Sequence, residues 1–171
     1  MIYQLKITLS ESRPPIWRRV EVEGGISLGQ LHWVLQIVMG WTNSHLHQFI
    51  ADGASYGMVD PEWDNCGMEM LDENKTTLEQ IAPEVGSKIM YEYDFGDGWE
   101  HLIQVEEIKE PEADVFYPLC LTGKRACPPE DVGGIWGYED FLKALQDRNH
   151  PEHEEYLQRI GGRFDPEYFN L

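Results

Sequence analysis

In the first seventy residues only one stretch carries a helical period, and strand-like alternation stands on both sides of it. Leu28, Leu31, Leu35 and Val38 share one helical face, Ser27 with Gln30 three residues on supplies a capping box, and Gly40 closes the element. Before it, Tyr3, Leu5, Ile7 and Leu9 alternate with polar positions, and after the stop at residues 11–15 a second strand is predicted over 16–23. After it, residues 45–50 read as a strand, and the polar, acidic stretch 52–73 as a loop or weak hairpin. Thr76 and Glu79 bracket a short helix over 78–82, and strands are predicted at 88–93 and 100–107. Residues 110–137 read as one long ordered loop, and Tyr138, Phe141, Leu142 and Leu145, then Tyr156, Leu157 and Ile160, mark two C-terminal helices. This order predicts an α+β fold: a single β-grasp-like sheet with the long helix packed on one face, plus two C-terminal helices, in one domain spanning residues 1–171. The regular strand–helix alternation of a doubly wound parallel sheet is absent.

Charge narrows the partners. Thirteen Lys and Arg face 31 Asp and Glu, a formal net charge of −18. Nucleic-acid affinity rests largely on basic side chains neutralising phosphates, so direct DNA binding is disfavoured. Lys6, Arg13, Arg18 and Arg19 are the only candidates for a local basic patch, and a solvated strand face is the preferred account of them. The chain enters a strand pattern at once, without a leader-like segment or an apolar run of membrane-spanning length. Three widely spaced cysteines, Cys66, Cys120 and Cys127, suit reduced thiols. A cytoplasmic protein is expected.

The densest chemistry lies in Tyr91-Glu92-Tyr93-Asp94-Phe95-Gly96-Asp97-Gly98-Trp99-Glu100-His101. Asp97-Gly98 is a two-residue hairpin signal, which would set Asp94 opposite His101; Gly96-Asp97 is the other candidate turn.

Four blocks give the chain a resemblance: Pro15-Ile16-Trp17-Arg18-Arg19, Asp94 to His101, Gly123-Lys124-Arg125-Ala126-Cys127-Pro128-Pro129-Glu130-Asp131-Val132-Gly133-Gly134, and Phe164-Asp165-Pro166-Glu167. Together they resemble the plasmid pRiA4b ORF-3-like proteins, also known as passenger proteins of an IS1096-type insertion element. The resemblance implies a single-domain protein of a family sometimes linked to mobile elements, and it implies no particular reaction.

The site residues follow from chemistry. A pocket is expected around Asp94, Asp97, Trp99, His101, Cys127, Glu130 and Asp131. His45 and His47, two apart on a strand, would face the same side, and with Asp94 and His101 they form a candidate zinc or manganese site; the competing reading is a structural Asp94–His101 pair with one histidine in the core. Cys127 lacks the paired spacing of a structural zinc site and would need a base brought in by the fold to act as a nucleophile. Asp60, Glu62 and Asp64 imitate the first ligands of a calcium loop, but Asn65 and Leu71 break the pattern. His150, Glu152, His153 and Glu154 look like a metal cluster, but ordinary dipole-compensating surface residues at a helix start are the preferred reading. Trp63, Trp99 and Trp136 could line a cleft. No catalytic residue is assigned. A protein- or ligand-binding module is the reading favoured over a metal-dependent hydrolase-like enzyme, with an accessory role in DNA transactions third.

Overall fold

A computed structural model describes residues 1–59 and 70–171. Among the described residues the chain forms a mixed α+β fold with one eight-stranded sheet and four helices. The strands are β1 (Ile2–Leu9), β2 (Trp17–Glu23), β3 (His47–Ala51), β4 (Ala54–Gly57), β5 (Met70–Asp72), β6 (Lys88–Tyr93), β7 (Trp99–Lys109) and β8 (Leu119–Lys124). The helices are α1 (Leu28–Met39), α2 (Leu78–Ile81), α3 (Gly134–Gln146) and α4 (His153–Arg159). The sheet order is β5-β4-β3-β6-β7-β1-β2-β8, antiparallel throughout except for the β4–β5 pair. No helix among the described residues is long and apolar enough to cross a membrane.

Alternation within the strands builds the core. Leu5, Ile7 and Leu9 lie opposite Val105, Ile103 and His101 of β7, and Ile103 and His101 in turn face Ile89 and Tyr91 of β6. All of these are essentially inaccessible to solvent. The intervening positions carry polar groups: Gln4 Nε2 and Arg19 Nε both donate to Glu106 Oε2, at 2.9 and 2.6 Å.

Ser27 and Gln30 form the expected capping box on α1, and Gly40 takes the left-handed conformation at its C-cap, with φ at 82°. At the same C-terminal end Arg18, an interior arginine, donates from Nε to the Val38 carbonyl at 2.8 Å, where a cation complements the helix dipole. The four basic residues therefore make no common patch, because Arg18 is internal and Arg19 is paired to Glu106.

Several local expectations change. The α2 cap is Thr77, whose N–H is accepted by Gln80 Oε1 at 2.8 Å. The predicted long loop contains β8, an edge strand on β2 whose Gly123 and lack of an apolar stripe hide it from a periodicity reading. Helix α3 begins at Gly134 and α4 at His153, whose Nδ1 donates to the Ala144 carbonyl at 2.8 Å; His153 is thus an internal fastener between the two last helices rather than part of a surface cluster. The calcium-loop imitation over Asp60, Glu62 and Asp64, together with Trp63 and Cys66, lies outside the described residues.

The β6–β7 hairpin uses neither two-residue turn. Tyr93 pairs with Trp99, residues 94–98 form a five-residue loop, and the Gly98 N–H donates to the Asp94 carbonyl at 2.6 Å. His101 therefore lies opposite Tyr91, not Asp94. Either two-residue turn would shift the pairing by an odd count and bring Glu92 onto the face that holds Ile103; the longer loop keeps Tyr91, Tyr93, Trp99, His101 and Ile103 together inside.

His101 is fully buried with Nε2 unpartnered, and burial pushes its pKa down to about 4. The folded chain keeps this ring neutral while the unfolded chain protonates it near the ordinary histidine pKa, so stability contributed at neutral pH is lost as pH falls from about 6.5 toward 4. Urea unfolding of His101→Leu should show a dependence of stability on pH that is shallower than wild type by about 1.4 kcal/mol per pH unit in that window. Equal slopes would contradict a neutral buried imidazole.

Candidate functional site

Three loops meet at one end of the sheet, and hydrogen bonds tie them together. They are residues 41–46 after α1, the hairpin loop 94–98, and residues 127–133 before α3. Trp41 Nε1 donates to the Pro128 carbonyl at 3.0 Å, and the Thr42 hydroxyl donates to Glu130 Oε2 at 2.7 Å. The Tyr93 hydroxyl donates to the other Glu130 oxygen and accepts the Ser44 N–H at 2.9 Å. The Gly133 N–H donates to Asp97 Oδ2 at 3.1 Å. Gly134, at φ 70°, lies directly under the Asp97 carbonyl, so any β-carbon there would collide with backbone. Burial and the adjoining Glu130 carboxylate raise the Tyr93 phenol well above its ordinary value, so it acts as a donor at all physiological pH.

The loops bring His45, Asp94 and Asp131 together. His45 Nε2 lies 2.9 Å from Asp131 Oδ1 and 3.6 Å from Asp94 Oδ2. The other Asp94 oxygen accepts the Gly96 N–H at 3.0 Å, an Asx-type turn that fixes the carboxylate. One ligand atom from each of the three residues lies within 4.8 Å of the others.

The remaining expected residues divide. Asp97 and Glu130 stand beside this cluster as loop fasteners, and Trp99 is buried beneath it against Trp41. His101 is inside the sheet, its ring edge-on to Trp41, and does not join the cluster. Cys127 turns away toward Arg18 and Met39, and burial pushes its thiol up to about 11, a poor setting for a nucleophile. His45 precedes β3 rather than lying in it, so His45 and His47 do not share a strand face: His47 points to Glu73, with Nε2 to Oε2 at 2.7 Å. Trp136 is exposed on α3.

His47 belongs to a second polar group that sequence reasoning missed. His32 of α1 stacks flat on His47, ring centroids 3.5 Å apart and planes 7° from parallel. Around His32 runs a closed ring of hydrogen bonds. Gln36 Nε2 donates to the Tyr91 hydroxyl at 3.1 Å, which is 2.8 Å from His32 Nδ1; His32 Nε2 is 2.9 Å from Asn43 Oδ1, and the Asn43 N–H returns to Gln36 Oε1 at 2.8 Å. The amide oxygen can only accept, so His32 carries its proton on Nε2 and Tyr91 donates to Nδ1. Burial and the neighbouring His47 hold His32 down to about 4, consistent with a neutral ring. The sequence signal was His32 and Gln36, two polar residues within the helix whose apolar stripe faces the core.

His32, Asn43, His47 and Glu73 of this polar group line the floor of a cleft of about 630 Å³, with Gln36 and Tyr91 buried behind them. Trp33, Phe95, Met58 and Met70 supply apolar walls, and His45 stands at the edge it shares with the three-residue cluster. Trp33 and Phe95 are each about half exposed.

Replacing Tyr93 by Phe removes the donor to Glu130 and the acceptor for Ser44. Urea unfolding should report a loss of about 1.5–3 kcal/mol, the range for a hydrogen bond to a charged group, with faster amide exchange over residues 127–133. Unchanged stability would mean that Tyr93 does not hold the loops.

The sequence profile of the plasmid pRiA4b ORF-3-like proteins matches residues 1–171. An uncharacterised protein, y4hQ, of Sinorhizobium fredii (strain NBRC 101917 / NGR234) is 43% identical over 161 residues, covering 94% of this chain and 81% of its own length. The crystal structure of MM3350, a protein of unknown function from Methanosarcina mazei Go1, is similar with a TM-score of 0.88 and 37% identity, covering 99% of this chain and 93% of that one. The Asp94–His101 and Gly123–Gly134 blocks, which build two of the three converging loops, thus sit within a match that runs from end to end: the chain belongs to the plasmid pRiA4b ORF-3-like family.

Proposed function

We propose that the chain is a single-domain binding module that takes a small neutral or cationic ligand into the cleft between α1 and the start of β3. The observation that carries this reading is the closed hydrogen-bond ring in which the interior Gln36 and Tyr91 hold His32 and Asn43, two residues that line the cleft. Buried polar groups cost stability unless paired, and a fully paired network rigidifies the surface that a ligand meets. Half-exposed Trp33 and Phe95 above a few convergent polar groups is the composition that ligand sites use. The buried Glu73 carboxylate on the floor and the net charge of −18 argue against an anionic ligand. The same charge, with Arg18 buried on the Val38 carbonyl and Arg19 paired to Glu106, counts against an accessory role on DNA.

A β-grasp-like description, with α1 laid on one sheet face, is supported by the reach of the Tyr91 hydroxyl to His32 and Gln36 of α1. The single-domain reading is supported by one buried apolar cluster that includes residues from Tyr3 to Phe141. A cytoplasmic location is supported by the free thiols of Cys120 and Cys127.

Thermal-shift measurements with a panel of neutral heterocycles, small amines, carboxylates and phosphates test the cleft. A neutral or cationic compound at about a hundred times its Kd should raise Tm by roughly 5–10 °C, and Trp33→Ala and Glu73→Gln should each abolish the shift. Stabilisation by anions alone, stabilisation indifferent to both substitutions, or none from any compound class would count against the proposal.

A further inference from the structure

We infer that His45, Asp94 and Asp131 form a binding site for one divalent transition-metal cation, manganese or zinc. The inference rests on the geometry of these three side chains alone and stands or falls separately from the ligand reading of the cleft.

The arrangement of the imidazole carries the argument. His45 Nε2 is screened from solvent and lies 2.9 Å from Asp131 Oδ1, yet it makes no hydrogen bond among the described residues. The distance would satisfy an ion pair, but the atoms are off the line that an N–H donor requires. The nitrogen lies between two carboxylates, 2.9 Å from one and 3.6 Å from the other. Nitrogen and oxygen ligands about 2.0–2.2 Å from a shared metal, at tetrahedral or octahedral angles, stand roughly 3.0–3.5 Å from each other. The observed separations bracket that range, whereas an imidazolium clasp would align on one oxygen.

The frame around the three atoms is made without them. Asp94 is secured through Oδ1 by the Gly96 N–H, leaving Oδ2 on the site side. Asp131 is held by its backbone, the carbonyl accepting from Arg159 Nη2 at 2.7 Å, so its carboxylate is free to ligate. His45 is placed by neighbours: Ser44 by the Tyr93 hydroxyl, and Leu46 by the Asp94 N–H donating to its carbonyl at 2.8 Å. Glu130, fastened by Thr42 and Tyr93, orders the loops from outside, as supporting groups around metals do.

The donor set selects the ion. One imidazole and two carboxylates suit manganese or zinc, and the nitrogen disfavours calcium and magnesium, which prefer all-oxygen sites. Two carboxylates balance a divalent charge. Three protein ligands leave at least one coordination position for water or a ligand, and Asp131, mostly solvent-exposed, gives the ion a way in. Because His45 also lines the cleft, that open position lies at its rim.

Chelator-stripped protein should be titrated with Mn²⁺ and with Zn²⁺ by calorimetry, with electron paramagnetic resonance for manganese. Wild type should bind about one equivalent, and Asp131→Ala and His45→Gln should each weaken binding by more than about a hundredfold, beyond the roughly ten- to hundredfold that loss of an outer-shell partner costs. Asp131 is exposed, so urea unfolding of Asp131→Ala in chelator should match wild type and show that the fold survives. Trp33→Ala should bind metal normally while losing any cleft ligand, which separates the two proposals. No binding by wild type, or equal affinity in Asp131→Ala, would overturn the site and leave a metal-free histidine–carboxylate clasp in its place.

Discussion

The hydroxyls of Tyr91 and Tyr93 are the points on which the functional end of the molecule depends. Both rings are buried on the same face of β6, where their area contributes to the core, and a buried phenol must find a partner. Tyr91 finds His32 and Gln36 and so links the sheet to α1; Tyr93 finds Ser44 and Glu130 and so links it to two loops. One strand thus sets the cleft floor and the three-loop cluster at neighbouring positions. That adjacency is why His45 can border both.

The hairpin that carries these residues illustrates a competition between local and tertiary preference. Asp97-Gly98 is a good turn signal by itself, but a two-residue loop there would put Glu92 on the inner face. Burying that carboxylate without a partner costs more than a less regular loop, so the chain adopts the five-residue loop with Asp94 in the left-handed region at φ 60°. The same loop aims the Asp94 carboxylate at His45. The sequence left the register of this hairpin open between two two-residue turns; the structure settles it with an odd loop, which keeps the odd-numbered Ile89, Tyr91, Tyr93, Trp99, His101 and Ile103 on one face.

Polar residues inside the fold divide between fastening and function by what satisfies them. His101 and His153 are buried and committed to backbone carbonyls, and the half-buried Cys127 to Arg18 and Met39, which explains why residue type and spacing made them candidates that the tertiary arrangement does not bring to the cluster. His32 and His47 went the other way. A histidine within a helix's apolar stripe reads as a core residue, and only the stacking of α1 against β3 turns the pair into a cleft floor.

Sequence alone determined the α1 helix with its Ser27–Gln30 cap and Gly40 end, the alternating strands β1, β2, β6 and β7, the family, and the segments in which Asp94, Asp97, Glu130 and Asp131 lie. These are local properties: period, caps and turn residues act within a few positions of each other. The edge strand β8, the separation of His45 from His47, and the meeting of His45 with Asp94 and Asp131 were decided only by tertiary structure. Each depends on pairing between residues dozens of positions apart, where the arbiter is which buried polar atom finds a partner, and no short-range pattern carries that information.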